Sequence, residues 1–115
     1  MVVYEISDAE VDRVFHALAD ATRRDILRRV LVADASISEL ARAYPMSMTA
    51  VQKHVTVLQE AGLVRKNRRG REQQVAAERD GLARAQALLD DLERQWRDRF
   101  YRIGELLAAP TQGEQ

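Results

Sequence analysis

Ser47-Met48-Thr49-Ala50-Val51-Gln52-Lys53-His54-Val55-Thr56-Val57-Leu58-Gln59-Glu60-Ala61-Gly62 runs straight into Leu63-Val64-Arg65-Lys66-Asn67-Arg68-Arg69-Gly70-Arg71, and the reading of these residues decides the fold. Ser47 stands where a helix wants a side-chain oxygen to cap its first free N–H groups, and Gly62 stands where a helix stops. Val51, Val55 and Leu58 recur at helical spacing and mark one apolar face. The opposite face carries Thr49, Gln52, Lys53 and Thr56, groups that hydrogen-bond base edges or phosphates. After the stop comes a basic stretch with no acid until Glu72. A polar-faced helix followed by a cationic hairpin has the composition of a winged reader of double-stranded DNA.

The order of elements upstream agrees. Ser7-Asp8-Ala9-Glu10 has the spacing of a capping box and opens a first helix to about Leu18, with Val11, Val14, Phe15 and Leu18 on one face. Asp20 caps a second helix with Ile26, Leu27, Val30 and Leu31 as its apolar positions. Ser36-Ile37-Ser38-Glu39 is another capping box. It starts a short third helix with Leu40 and Ala41 inward, ended near Pro45 because the residue before a proline is biased away from helix. Short helix, tight turn over Tyr44-Pro45-Met46, capped helix is the order of a helix-turn-helix. Downstream, Leu63-Val64 begins a strand, Arg69-Gly70 makes the turn, and Glu72 to Ala76 returns.

Beyond Arg79 the spacing predicts a long helix. Leu82, Ala85, Leu89, Leu92, Trp96, Phe100, Ile103 and Leu107 follow one another at three or four residues. Roughly 28 residues at about 1.5 Å each give about 42 Å, more than a small domain covers alone. Leu82, Leu89, Trp96 and Ile103 recur every seven residues, which favours a partner helix. The stripe therefore reads as a homodimer seam of Leu89, Leu92, Trp96, Phe100 and Ile103, joined by Val11, Val14 and Leu18 of the first helix. Gly104 is a poor interior helix residue, and 110–115 reads as a flexible tail, leaving one domain over 1–109.

Bulk composition sets the bounds. A chain of 115 residues, 46% hydrophobic, is one globular domain. Its net charge is zero, yet the charge is sorted along the chain. Residues 1–20 hold one base and five acids, net −4; residues 21–71 hold eleven bases and four acids, net +7; residues 72–115 hold six and nine, net −3. The local field at a binding face matters more than the total. No cysteine is present, which excludes disulfides, thiolate metal sites and thiol switches. No apolar run approaches the roughly 20 residues of a bilayer span, and the N-terminus lacks the pattern of a secretory signal. A cytoplasmic location without membrane contact is the simplest expectation. An enzyme fits poorly: the chain has no Gly-rich phosphate loop, and its two histidines are far apart without a nucleophile.

Several spaced blocks resemble the ArsR/SmtB family of winged-helix transcriptional repressors. They are Phe15-His16-Ala17-Leu18-Ala19-Asp20-Ala21-Thr22-Arg23-Arg24-Asp25-Ile26-Leu27, then Ser38-Glu39-Leu40-Ala41, then Ser47 with Val51, His54, Val57, Leu58 and Ala61-Gly62-Leu63-Val64. Ala21 departs from the proline often found there, a small change because proline at a first helical turn is only a preference. The resemblance implies a mainly α fold with a small β-hairpin wing, dimerising through its terminal helices. It implies a dimeric repressor of its own or a neighbouring operon that binds a near-palindromic operator. Many members hold a metal with cysteines where this chain has Ser36 and Ser38, and others use histidines on the last helix, which here has none. Asp90, Asp91, Glu93 and Asp98 are a poor set for a transition metal. The expectation is no metal, no cofactor and an inducer that the residues do not name, as in the cysteine-free branch of the family.

The residues expected at DNA are Ser47, Thr49, Ala50, Gln52, Lys53, His54 and Thr56 on the fourth helix, with Arg68, Arg69 and Arg71 at the tip of the wing. Gln suits adenine, Lys suits guanine or phosphate, and the arginines suit phosphate or the minor groove. His54 has two open readings, a phosphate contact or a hydrogen-bonded residue near the wing. Arg23 and Arg24 are secondary candidates, and a surface role serves them as well. His16 reads as a packed or surface histidine. The rival from another class is a protein-interaction module that no longer binds DNA, and an adapter would not need the cationic wing.

Overall fold

The computed structural model describes residues 7–113, with side chains through Ala108. The elements in order are α1 (Asp8–Leu18), α2 (Ala21–Val32), β1 (Ala35–Ser36), α3 (Ile37–Arg42), α4 (Met48–Glu60), β2 (Val64–Arg69), β3 (Glu72–Ala77) and α5 (Arg79–Gly113). The chain divides into two compact units, Met1–Ala85 and Gln86–Gln115. The first holds the helix-turn-helix, the sheet and the first turns of α5; the second is the rest of α5.

Local chemistry starts each helix where the sequence places it. Asp20 accepts from the Arg23 N–H at 3.0 Å, Ser36 from Glu39 at 3.1 Å and Ser47 from Ala50 at 3.1 Å. Ser36 and Glu39 form the reciprocal box, since the Ser36 N–H donates back to the Glu39 carboxylate at 3.0 Å. The expected box at α1 is only half made. Ser7 accepts from the Glu10 N–H, but the Glu10 carboxylate pairs with Arg84 of α5 at 3.7 Å.

The stop of α4 is a two-bond terminus. Gly62 takes φ +73°, open to a residue without Cβ. Its N–H donates to the Gln59 carbonyl at 2.9 Å, and the Leu63 N–H reaches back to Leu58 at 3.0 Å. The Gly62 carbonyl then accepts the N–H of Gly81 in the first turn of α5 at 3.0 Å. A donor that α5 cannot satisfy internally thus meets an acceptor just beyond the end of α4. The approach leaves no room for a side chain: a Cβ on Gly81 would lie 2.6 Å from the Gly62 carbonyl oxygen and 2.7 Å from that of Ala61.

Strands β2 and β3 are antiparallel, with Arg69 opposite Glu72 and Val64 opposite Ala77. The two-residue turn has Gly70 at φ +62°, and no non-glycine residue among those described has positive φ. That places the only left-handed residue first in the turn, as in a type II′ hairpin. β3 also pairs with β1, Ala35 opposite Val75 and Ser36 opposite Gln74, giving sheet order β1-β3-β2. Alternation puts Val64, Lys66 and Arg68 on one side of β2. Val64 and its neighbour Val75 are buried in the core with Val14, Ala17, Ile26, Leu27, Val30, Leu40, Val51, Val55, Leu58 and Leu63.

Two expectations about the core are corrected. Leu31 and Phe15 are exposed, because the buried faces of α2 and α1 are centred on Ile26–Leu27–Val30 and on Val14–Ala17. The helical bounds of α5 pass the expected boundary at 109 and reach Gly113. The side chains of 110–115, where a flexible tail is expected, lie outside the described residues.

The Gly62–Gly81 approach makes a stability prediction. Gly81→Ala forces backbone apart, since the opposing atoms are carbonyls and no side chain can give way. The variant should be about 1–3 kcal/mol less stable, read as a lower urea midpoint at unchanged slope.

Candidate nucleic-acid interface

The outward face of α4 is built by its own capping and burial. With Val51, Val55 and Leu58 buried, Thr49, Gln52 and Lys53 are forced to the surface. Together with Thr56, Val57 and Glu60 they line an open groove along the helix. A second concavity, of about 260 Å³, lies between this helix and the hairpin. It is lined by Ile37, Ser38, Met48, Gln52, Arg68, Arg71, Glu72 and Gln73. Gln52 belongs to both. The structure therefore brings Gln52 of the helix and Arg68 and Arg71 of the wing to one surface. Arg69 is exposed on the other side of the hairpin, opposite Glu72. The Arg68 Nε is 3.4 Å from the Gly70 carbonyl, a weak local bond that leaves its terminal nitrogens uncommitted among the described residues.

Several cations of this region hold the protein together. Arg23 donates from Nε to the Ala17 carbonyl at 2.9 Å and from Nη2 to His16 at 3.0 Å, and Arg24 donates to Leu18 at 2.7 Å. The Ala17 and Leu18 carbonyls lie in the last turn of α1, and that of His16 also accepts the Ala19 N–H. Arg65 is tied to the Ala77 carbonyl at 3.1 Å and to Glu78 at 3.5 Å. Lys66 donates to the Thr56 hydroxyl at 3.1 Å. Thr56 in turn donates its only proton to the Gln52 carbonyl at 2.9 Å. A phosphate oxygen only accepts, so in this arrangement Thr56 has nothing to offer it. Ser47 spends its oxygen on the cap and keeps a hydroxyl proton, and Ala50 is half-buried beside it.

His54 is half-buried, with Nδ1 3.2 Å from Arg23 Nη1 and 4.0 Å from the Asp20 carboxylate. A guanidinium only donates, so Nδ1 accepts and the ring proton sits on Nε2. The histidine thus joins α4 to the α1–α2 junction through one nitrogen. In the turn after α3, Tyr44 donates to Asp25 at 2.5 Å and lies under the Arg29 guanidinium, 5.4 Å from its ring centroid. Burial, then the bond to Asp25, pushes the Tyr44 hydroxyl up to about 12. This cluster holds the turn before α4 against α2.

The expected interface residues divide. Leu89, Leu92, Trp96, Phe100 and Ile103 are all exposed, Trp96 by 56%. Trp96 and Phe100 meet edge to face at 4.9 Å. Val11 and Leu18 are half-buried. Val14 is corrected: only 2% exposed, it packs inside its own chain and has no surface for a partner. Sequence reading also missed Lys66 as a contact of α4, and Ile37, Ser38 and Gln73 as walls of the concavity. The signal for Lys66 and Gln73 was available, since period-two alternation from Val64 and Val75 turns both toward the helix.

Three carboxylates fix the pH response of this region. The Arg23 backbone N–H, followed by the charge of Arg23, holds Asp20 below its ordinary 3.8. Tyr44 and Arg29 do the same for Asp25, and the Ser36 N–H for Glu39. A depressed folded-state value means stability that is present above the ordinary value and lost as pH falls through the folded one. Urea midpoints should therefore hold from pH 7 to about 4 and drop below it. Asp20→Asn keeps a capping acceptor but cannot titrate, so its midpoint should fall less steeply below pH 4 than that of the native chain.

The helix-turn-helix domain family matches residues 18–67. The HTH-type transcriptional regulator Rv2034 of Mycobacterium tuberculosis is 41% identical over 85 residues, 74% of this chain and 77% of that protein. An ArsR-like transcriptional regulator from Rhodococcus sp. RHA1 superposes with a TM-score of 0.75 at 37% identity, covering 85% of this chain and 92% of that one. A fragment from Mycobacterium bovis, described as a homodimeric winged helix-turn-helix DNA-binding domain, does so with 0.61 at 26% identity, covering 81% and 92%. The capped α3–turn–α4 unit, the hairpin that follows it and these likenesses agree: the chain belongs to the ArsR family of winged helix-turn-helix transcriptional regulators.

Proposed function

We propose that this DNA-binding regulator acts as a homodimeric repressor of its own or a neighbouring operon, reading a near-palindromic operator with α4 in the major groove. The observation that carries this reading is the shared surface on which Gln52 of α4 meets Arg68 and Arg71 of the wing. Ser47, Thr49, Ala50, Gln52 and Lys53 face the groove, Gln52 discriminating bases and Lys53 taking guanine or phosphate. Arg68, Arg69 and Arg71 take phosphates or the minor groove. His54 and Thr56 hold α4 in place. Two copies related by a two-fold axis would place their α4 helices in successive major grooves, roughly 10 bp apart or a multiple of it. The functional domain is 1–109. No helix among the described residues is long and apolar enough to cross a membrane, and the regulator works in the cytoplasm, where its operator is.

The dimer rests on α5. Leu89, Leu92, Trp96, Phe100 and Ile103 share one helical face, and all are exposed in the single chain. Such a patch in water marks an interaction surface, and the M. bovis relative is described as homodimeric. The stripe's mean spacing of about 3.5 residues suits a second copy of the same helix.

Selection of bound fragments from genomic DNA tests the reading and yields the operator; no enrichment would refute it. On the selected duplex, Gln52→Ala should cost about 1–3 kcal/mol and little on random DNA. Arg68→Ala with Arg69→Ala should weaken both alike and make the salt dependence shallower by about 0.9 for each phosphate no longer neutralised. Trp96→Asp puts an unpaired charge into the seam. Sedimentation should show the native chain as a dimer and the variant shifted toward monomer, with operator binding abolished.

A further inference from the structure

We infer that Lys66 is a positioning residue for DNA reading: its bond to Thr56 fixes the wing against the recognition helix, so that Arg68 and Gln52 present one rigid surface. The inference rests on the DNA reading above. Lys66 sits midway along β2 on the side turned toward α4, half-buried, with Nζ 3.1 Å from Thr56 Oγ1. Thr56 passes its own proton to the Gln52 carbonyl. The three residues form a continuous chain from the hairpin to the backbone of the reading residue.

The spacing makes this chain a ruler. Gln52 and Thr56 are one helical turn apart, about 6 Å. Lys66 and Arg68 are two strand residues apart, about 6.8 Å. With Lys66 pinned to Thr56, Arg68 falls beside Gln52, and these two do line the same concavity. The hairpin is buried from Val64 at its root out to Val75, directly opposite Lys66, and β1 pairs with β3 no further out than Gln74. The residues beyond that level, Arg68 to Glu72, have little stability of their own, and the Lys66 bond, at the outer limit of the anchored part, ties the hairpin to the face of α4 that carries Gln52. Without it the wing must be ordered when DNA binds, and that cost subtracts from affinity.

The competing role is a direct phosphate ligand, since an ammonium has three donors and Thr56 uses one. Lys66→Met keeps the apolar stem and removes the donor; Thr56→Val keeps the shape and removes the hydroxyl. Binding to the selected duplex and to a random duplex of equal length is measured for both, for the double variant and for Thr56→Ser. Amide exchange of residues 64–77 is followed in the free protein.

For a positioning residue, each single variant weakens the selected duplex by about tenfold, and the double variant is no weaker than either. The salt slope on random DNA is unchanged, wing amides exchange faster in both singles, and Thr56→Ser behaves as the native chain. Additive losses, or unchanged exchange in the wing, would overturn the inference. So would a slope shallower by about 0.9 in Lys66→Met alone, which identifies a phosphate ligand. A native chain that binds neither duplex refutes the DNA reading and the reading role of Lys66 with it, while wing exchange still reports whether the bond holds the hairpin.

Discussion

The hydrogen bond from the Gly81 N–H to the Gly62 carbonyl is the point on which the other elements depend. Gly62 ends α4, and the reversal it makes sends the chain into β2. The hairpin returns as β3, with the Glu78 N–H bound to the Leu63 carbonyl at 2.9 Å. It delivers α5 to the place where the reversal began. One junction thus sets the length of the recognition helix, the root of the wing and the start of α5. It works because two backbones approach with no Cβ between them, a close packing that tolerates little added volume.

Much of this was legible because the deciding signals are local. A capping serine or aspartate and a glycine stop act within four residues, so Asp20, Ser36, Ser47 and Gly62 could be placed from sequence. The α1 box was misjudged for the opposite reason. Glu10 is claimed by Arg84, more than seventy positions away, and no local pattern shows such a partner. Strand β1 is two residues long, too short for any periodicity, and it exists only because β3 has a free edge for Ala35 and Ser36 to pair with. Leu31 and Phe15 show the same limit in the core. Periodicity finds an apolar face, but its width is set by the neighbours that cover it.

The cationic segment shows why charge counts overstate a binding surface. The net +7 of residues 21–71 is spread over α2, α3, α4 and the hairpin. Arg23 and Arg24 terminate α1, Arg29 stacks on Tyr44, and Arg65 and Lys66 fasten the hairpin. What remains at the surface beside Gln52 is a smaller set, with Lys53 on the helix and Arg68 and Arg71 at the turn. Guanidinium groups serve both purposes because carbonyls and phosphates are both acceptors that suit their fork of donors. Sequence alone does not separate the uses. Geometry does, since a carbonyl within about 3 Å has already taken the donor.

In the proposed mode of reading, those internal bonds themselves contribute to DNA recognition. His54 and Thr56 are two residues apart and so about 200° apart around α4. Arg23 holds the helix through the first, and Lys66 through the second. The N-terminus is capped by Ser47 and the C-terminus is closed at Gly62, so α4 is constrained at both ends and on both flanks before any ligand arrives. A reading surface held this way loses little conformational freedom on binding, and that freedom would otherwise be subtracted from affinity for right and wrong sequences alike. In the proposed mode of reading, discrimination is then left to Gln52 and its neighbours. Their hydrogen bonds are either met by the base edge or left unmade in a desolvated groove, and it is the cost of the unmade bond that separates one sequence from another.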